Sequence, residues 1–166
     1  MTLADLLTHV IVGYFVGTVL SWKYDRIKSA HVTMLMIGAA LPDLVRINIL
    51  INSNRVSQLT GLPFSWTPLH RLGGLLVVIA IISLMVNIGN KKLTFKLLGI
   101  GAATHLFIDA LMITSSGYSS AMFWPFLDYR LPTPGLYISS DIHLAIISIW
   151  IGSIIWYIDA YKFERK

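Results

Sequence analysis

Five apolar stretches, each close to the length needed to cross a bilayer, constrain this chain more than any other feature. They fall at about 3–22, 30–51, 69–89, 93–113 and 136–158. A spanning helix needs about 20 predominantly apolar residues, because the hydrocarbon layer is about 30 Å thick. With 55% apolar and only 13% charged residues in 166, the chain carries about half the charge of a soluble domain. The expected fold is therefore an all-α membrane protein, a bundle of about five transmembrane helices. Its length accommodates one domain, 1–166, with no separate soluble module. The first 22 residues have no positively charged start and no small-residue cleavage site, so the first apolar stretch is expected to be a retained helix, not a signal peptide.

Lys and Arg set the expected orientation. Lys23, Arg26 and Lys28 follow the first stretch; Lys91, Lys92 and Lys96 open the fourth; Lys162, Arg165 and Lys166 lie at the end. The segments 52–68 and 114–135 carry only Arg55 and Arg130. By the positive-inside rule this alternation places the N-terminus outside and the C-terminus in the cytoplasm of a plasma (inner) membrane. Trp66, Phe123, Trp124, Phe126, Tyr129 and Tyr137 then belong to the outer interface. The net charge of +5 reflects topology, and no nucleic-acid partner is expected. Gly13 and Gly17, and the run Gly99, Gly101, Ala102 and Ala103, are small-residue faces suited to close helix packing.

Ionisable residues inside spanning segments are costly and face the bundle interior. Here they are His9, Asp43, His70, Arg71, His105 and Asp109. On the expected topology, His9, Asp43, His70, His105 and Asp109 fall at one depth in the outer half of the bilayer. His105 and Asp109 are four apart and share a helix face. Imidazoles with carboxylates suit zinc or another first-row divalent ion, and the chain has no cysteine to offer a thiolate. An ion with an open position supports hydrolysis of an ester. Asp43 and Asp109 are both candidates for a catalytic base, and the sequence does not select between them. Pro42 is expected to break the second helix beside Asp43.

Each residue also has a plainer role. The polar set can join helices by hydrogen bonds without any metal. Arg71 either binds an anionic group or snorkels to the interface; Arg46 neutralises Asp43. His143, two residues after Asp141, belongs either to the site or to a helix start. Trp124 and Pro125 read most simply as an interfacial anchor and a turn. Substrate contact falls to Arg71, Trp124, Arg130 and His143.

Several short motifs occur in order: Thr8-His9 with Gly13, Leu41-Pro42-Asp43, Leu69-His70, and Thr104-His105 with Asp109, Gly117, Trp124-Pro125-Phe126 and Arg130-Leu131-Pro132. In them the chain resembles the YdjM-like family of inner-membrane proteins, described as metal-dependent hydrolases and, in bacteria, as LexA-regulated. Where that family's third motif has two histidines, this chain has His70 alone, which aligns with the second. The order of ligand types is also distantly similar to zinc-dependent phospholipase C. That likeness implies one ion held by Asp43, His70, His105 and Asp109, and a second helped by His9 with Asp109 bridging. The phospholipase's third ion needs a Glu, and the only Glu here is Glu164; one or two ions, zinc by type, are implied. The expected function is a metal-dependent phosphoester hydrolase acting on a lipid or lipid-linked substrate in the outer leaflet. A membrane transporter and a structural membrane protein are the alternatives.

Overall fold

The computed structural model describes residues 3–138 and 141–163. Its regular structure is helical. α1 (Leu3–Lys23) runs into a short turn and α2 (Ser29–Ala40), which continues as a 3-10 helix over Leu41–Ile49. α3 (Ser53–Thr60) and a 3-10 turn (Thr67–His70) lead to α4 (Leu72–Met85); α5 (Lys91–Ala110) and α6 (Ile142–Phe163) complete the described elements. Asp5 in the first turn of α1 and Lys23 in its last complement the helix dipole.

Among the described residues, four helical stretches are long and apolar enough to cross a membrane: Asp5–Lys23, Ser29–Ile49, Ile88–Ala110 and Ile142–Lys162. The third apolar stretch of the sequence behaves differently. It yields α4, only 14 residues and therefore about 21 Å long, short of a full crossing. Local breaks account for this. Pro68 opens the preceding 3-10 turn, Arg71 is extended (φ −132°, ψ 153°), and Val86 is extended (φ −91°, ψ 165°) at the other end. Hydropathy registers composition across 69–89 and is blind to these breaks.

α2 lies between α1 and α5, α6 packs on the far side of α1, and α4 packs on α5. Glycine makes the central contacts possible. A Cβ on Gly13 would lie 3.0 Å from Ala39 Cβ, and one on Gly17 2.9 Å from Val32 Cγ1. On the other side of α2, a Cβ on Gly101 would run into the Leu35 carbonyl oxygen, and one on Gly38 into that of Leu98. The expected second small-residue face is thus divided. Gly101 serves the α2–α5 crossing, whereas a Cβ on Gly99 would meet nothing within 4 Å. Leu41, at the start of the 3-10 helix, joins Leu75 and Ile79 of α4 and Leu98 and Ala102 of α5 in an apolar core.

Short turns make α1 and α2, and likewise α4 and α5, antiparallel. Lys23, Arg26, Lys28, Lys91 and Lys92 therefore gather at one end. The start of α1, the end of the Leu41–Ile49 helix, the start of α4 and the end of α5 gather at the other.

Segment 114–135, expected to be a long loop, folds back onto that second end. Ser119 N–H donates to the Leu131 carbonyl (2.8 Å) and Thr133 N–H to that of Gly117 (2.9 Å). The segment also completes α4. No side chain caps that helix, and its first donors, the N–H groups of Leu72 and Gly73, bond to the carbonyls of Met122 (2.7 Å) and Trp124 (2.9 Å). Helix starts leave such groups in need of partners.

Candidate metal centre

Four elements bring their ionisable residues together at this end. His9 and His105 are fully buried (0% exposed), Asp5, Asp109 and Asp43 nearly so (3%, 4% and 5%), and His70 is partly buried. Asp109 is the hub. Its Oδ2 lies 2.7 Å from His70 Nε2 and 3.4 Å from His105 Nε2; its Oδ1 lies 3.3 Å from His9 Nε2. The His9 and His105 rings stack with centroids 3.7 Å apart, and His70 meets His105 edge to face at 5.3 Å. Ligand atoms of His9, His105 and Asp109 all lie within 4.8 Å of one another.

The proton inventory of these rings limits what can lie between them. His105 Nδ1 is 2.6 Å from the Ala39 carbonyl oxygen and His70 Nδ1 is 3.1 Å from that of Pro42. A carbonyl only accepts, so each Nδ1 is the donor. Each neutral ring then presents a bare Nε2 lone pair, and both lone pairs face the same carboxylate. Acceptor against acceptor is repulsive unless a cation or an extra proton lies between them. His9 Nδ1 and Nε2, His105 Nε2 and Asp109 Oδ1 are buried without hydrogen-bond partners, the expected state of atoms arranged to hold an ion. A metal-binding histidine ordinarily gives its other N–H to a backbone carbonyl or carboxylate, as His70 and His105 do.

Pro42 supplies this arrangement from the sequence. It stands at the start of the 3-10 helix, where hydrogen bonds run between residues three apart. In that register the donor for the Ala39 carbonyl would be residue 42, and proline has no N–H. The freed carbonyl accepts from His105.

The other expected residues have definite places. Asp43 accepts through Oδ1 from Arg46 Nε at 3.0 Å, as the i, i+3 spacing suggested, and its Oδ2 is buried without a hydrogen-bond partner. Arg71 lies over the Trp124 ring, 5.7 Å from its centroid. Arg130 is exposed. His143 is exposed in the first turn of α6, where its N–H donates to Asp141 Oδ1 at 2.9 Å.

Asp5 and Arg46 extend the cluster. Asp5 Oδ1 lies 3.5 Å from His9 Nε2, and Asp5 Oδ2 lies 3.8 Å from Arg46 Nη2. Asp5 thus belongs to the cluster. Arg46 bridges Asp5 and Asp43 instead of serving Asp43 alone. The signal for Asp5 was its four-residue spacing to His9, the same spacing that joins His105 to Asp109. Close to the cluster, the Tyr137 hydroxyl donates to the Ile108 carbonyl at 2.9 Å. Burial, then the charges of Asp109 and Asp5, push that phenol above its usual range.

Over residues 4–163 the sequence matches the family described as YdjM inner membrane protein. The chain belongs to that family. No curated protein and no solved structure gives a significant match. Membership agrees with the helical bundle and makes this YdjM-family chain a multi-pass membrane protein, with a buried His9, His105 and Asp109 group able to hold a metal ion.

Proposed function

We propose that this YdjM-family chain, taken as one membrane domain over 1–166, is a metal-dependent hydrolase of phosphoester bonds in a lipid or lipid-linked substrate. The observation that carries the reading is the convergence of imidazole nitrogens from His9, His70 and His105 on Asp109, with the Nε2 of His70 and of His105 left bare by their Nδ1 bonds. Three carboxylates in the cluster (Asp5, Asp43, Asp109) face one guanidinium, Arg46. Three negative charges less one positive leave two. Keeping them buried and unpaired costs several kcal/mol per ion, and one dication offsets them. Nitrogen and oxygen donors of this kind favour zinc. When bound, zinc supplies Lewis acidity and a water acidic enough to act near neutral pH.

In this reading His9, His70, His105 and Asp109 are the ligands, with Asp5 holding His9 in place. Asp43 Oδ2, the oxygen not taken by Arg46, is the atom free to accept a proton. Arg71, Trp124, Arg130 and His143 are the proposed substrate contacts. The site faces the outer leaflet, with the N-terminus outside and the C-terminus cytoplasmic, because the basic residues lie at the opposite end of the bundle.

The test is hydrolysis of phosphatidylglycerol and of phosphatidic acid in mixed micelles, followed as released headgroup or phosphate. Chelation and Asp109→Asn should each lower turnover more than about 100-fold, beyond the loss typical of an outer-shell change. Turnover indifferent to both treatments would dismiss the metal-dependent reading.

A further inference from the structure

Beside the metal centre, α4, α5 and segment 114–135 line a groove of about 290 Å³ whose walls are almost entirely apolar. Leu72, Ala110 and Met122 line its outer end; Ile79, Gly99 and Ala103 line it further in. Leu72 is two residues from His70, and Ala110 adjoins Asp109, so the groove begins at the depth of the centre. Gly99 and Ala110 are eleven residues apart on one helix, which makes the groove about 16 Å long. It is kept open by small side chains, since a Cβ on Gly99 would meet nothing within 4 Å.

The mouth is basic. Arg71, the residue before Leu72, lies over Trp124, and its Nε is buried without a hydrogen-bond partner. Trp124 is held there by the backbone bond from Gly73. A buried guanidinium donor lacking an acceptor is costly, and a phosphate oxygen is its best match in charge and geometry. A hydrocarbon-lined groove and a guanidinium with one buried, unsatisfied N–H thus adjoin each other at the depth of His70 and Asp109.

We propose that this groove receives one hydrocarbon tail of the substrate and that Arg71 binds its phosphate, which sets the phosphoester beside the metal centre. The inference rests on the hydrolase reading and names its substrate class: a lipid phosphate ester entering sideways from the bilayer. Continuity of groove, cation and centre favours a substrate tail over a lipid that merely coats the surface.

The experiment uses the full chain in phosphatidylcholine nanodiscs doped with either diacylglycerol or the phosphonate analogue of phosphatidic acid, which has no phosphoester bond to hydrolyse. Retained lipid is counted by native mass spectrometry, and zinc is measured on the same samples. Wild type should retain the phosphonate about tenfold better than diacylglycerol, as expected for a charge-assisted bond. Arg71→Gln should abolish that preference. Gly99→Leu, which fills open space and gains helix propensity, should remove retention while leaving zinc content unchanged. Inorganic phosphate should not displace the lipid. Gly99→Leu retaining lipid like wild type, equal retention of diacylglycerol, or displacement by inorganic phosphate would each overturn the proposal. Lipid retention as expected in a protein that holds no zinc would uphold the groove and reject the metal centre instead.

Discussion

Asp109→Asn separates an ion site from a set of polar residues that only joins helices. Asp109 lies within 3.4 Å of three imidazole nitrogens, so the substitution removes one anionic ligand and nearly preserves its shape. If zinc is supplied at about 100 times its dissociation constant, mass action stabilises the wild type by about 2.7 kcal/mol. For a chain of this size that raises the melting temperature by about 5–11 °C. Weakening affinity about 100-fold reduces the stabilisation to about 0.4 kcal/mol, a shift of only about 1–2 °C. In chelator the order should differ. The new amide N–H can donate to the bare Nε2 of His70, so the variant should melt at or above the wild type. The assay is melting temperature of both proteins with zinc and with chelator. A wild type that melts alike in both, or a variant that keeps the full zinc shift, would refute the reasoning.

Two further outcomes follow from the same geometry. Asp5→Asn should lower zinc affinity by about 10–100-fold through loss of the group that orients His9, measured by competition with a chromogenic chelator; unchanged affinity would remove Asp5 from the centre. Cysteines placed at the exposed positions Gln58 and Ser115 should react with an impermeant thiol reagent on intact cells and one at Ser29 should not, and the reverse pattern would turn the centre to the cytoplasm.

Much of this arrangement is legible in the sequence because a bilayer leaves few choices. Buried ionisable residues must meet one another, and alternating helices bring His9, Asp43, His70, His105 and Asp109 to one depth. The i, i+4 pair His105 and Asp109 reads directly as one face. Other features depend on what composition does not record. The shortness of α4 lies in the extended backbone at Arg71 and Val86. The role of Pro42 is a matter of which carbonyl loses its partner, which needs the switch from α to 3-10 register. An acidic residue at a helix start, such as Asp5, is accounted for by the helix dipole alone, so its type and position do not mark it as part of a cluster. Gly99 and Gly101 look equivalent as letters, yet one permits a helix crossing and the other leaves a groove. The docking of 114–135 onto α4 rests on backbone bonds that carry no side-chain signature.

Zinc-edge X-ray absorption of the purified chain tests the central claim most directly. The account predicts stoichiometric zinc with a nitrogen and oxygen shell at about 2.0–2.1 Å and outer-shell scattering from two or three imidazoles, weakened in His70→Ala and His105→Ala. A fully oxygen-coordinated zinc without imidazole scattering, or no stoichiometric zinc at all, would contradict it.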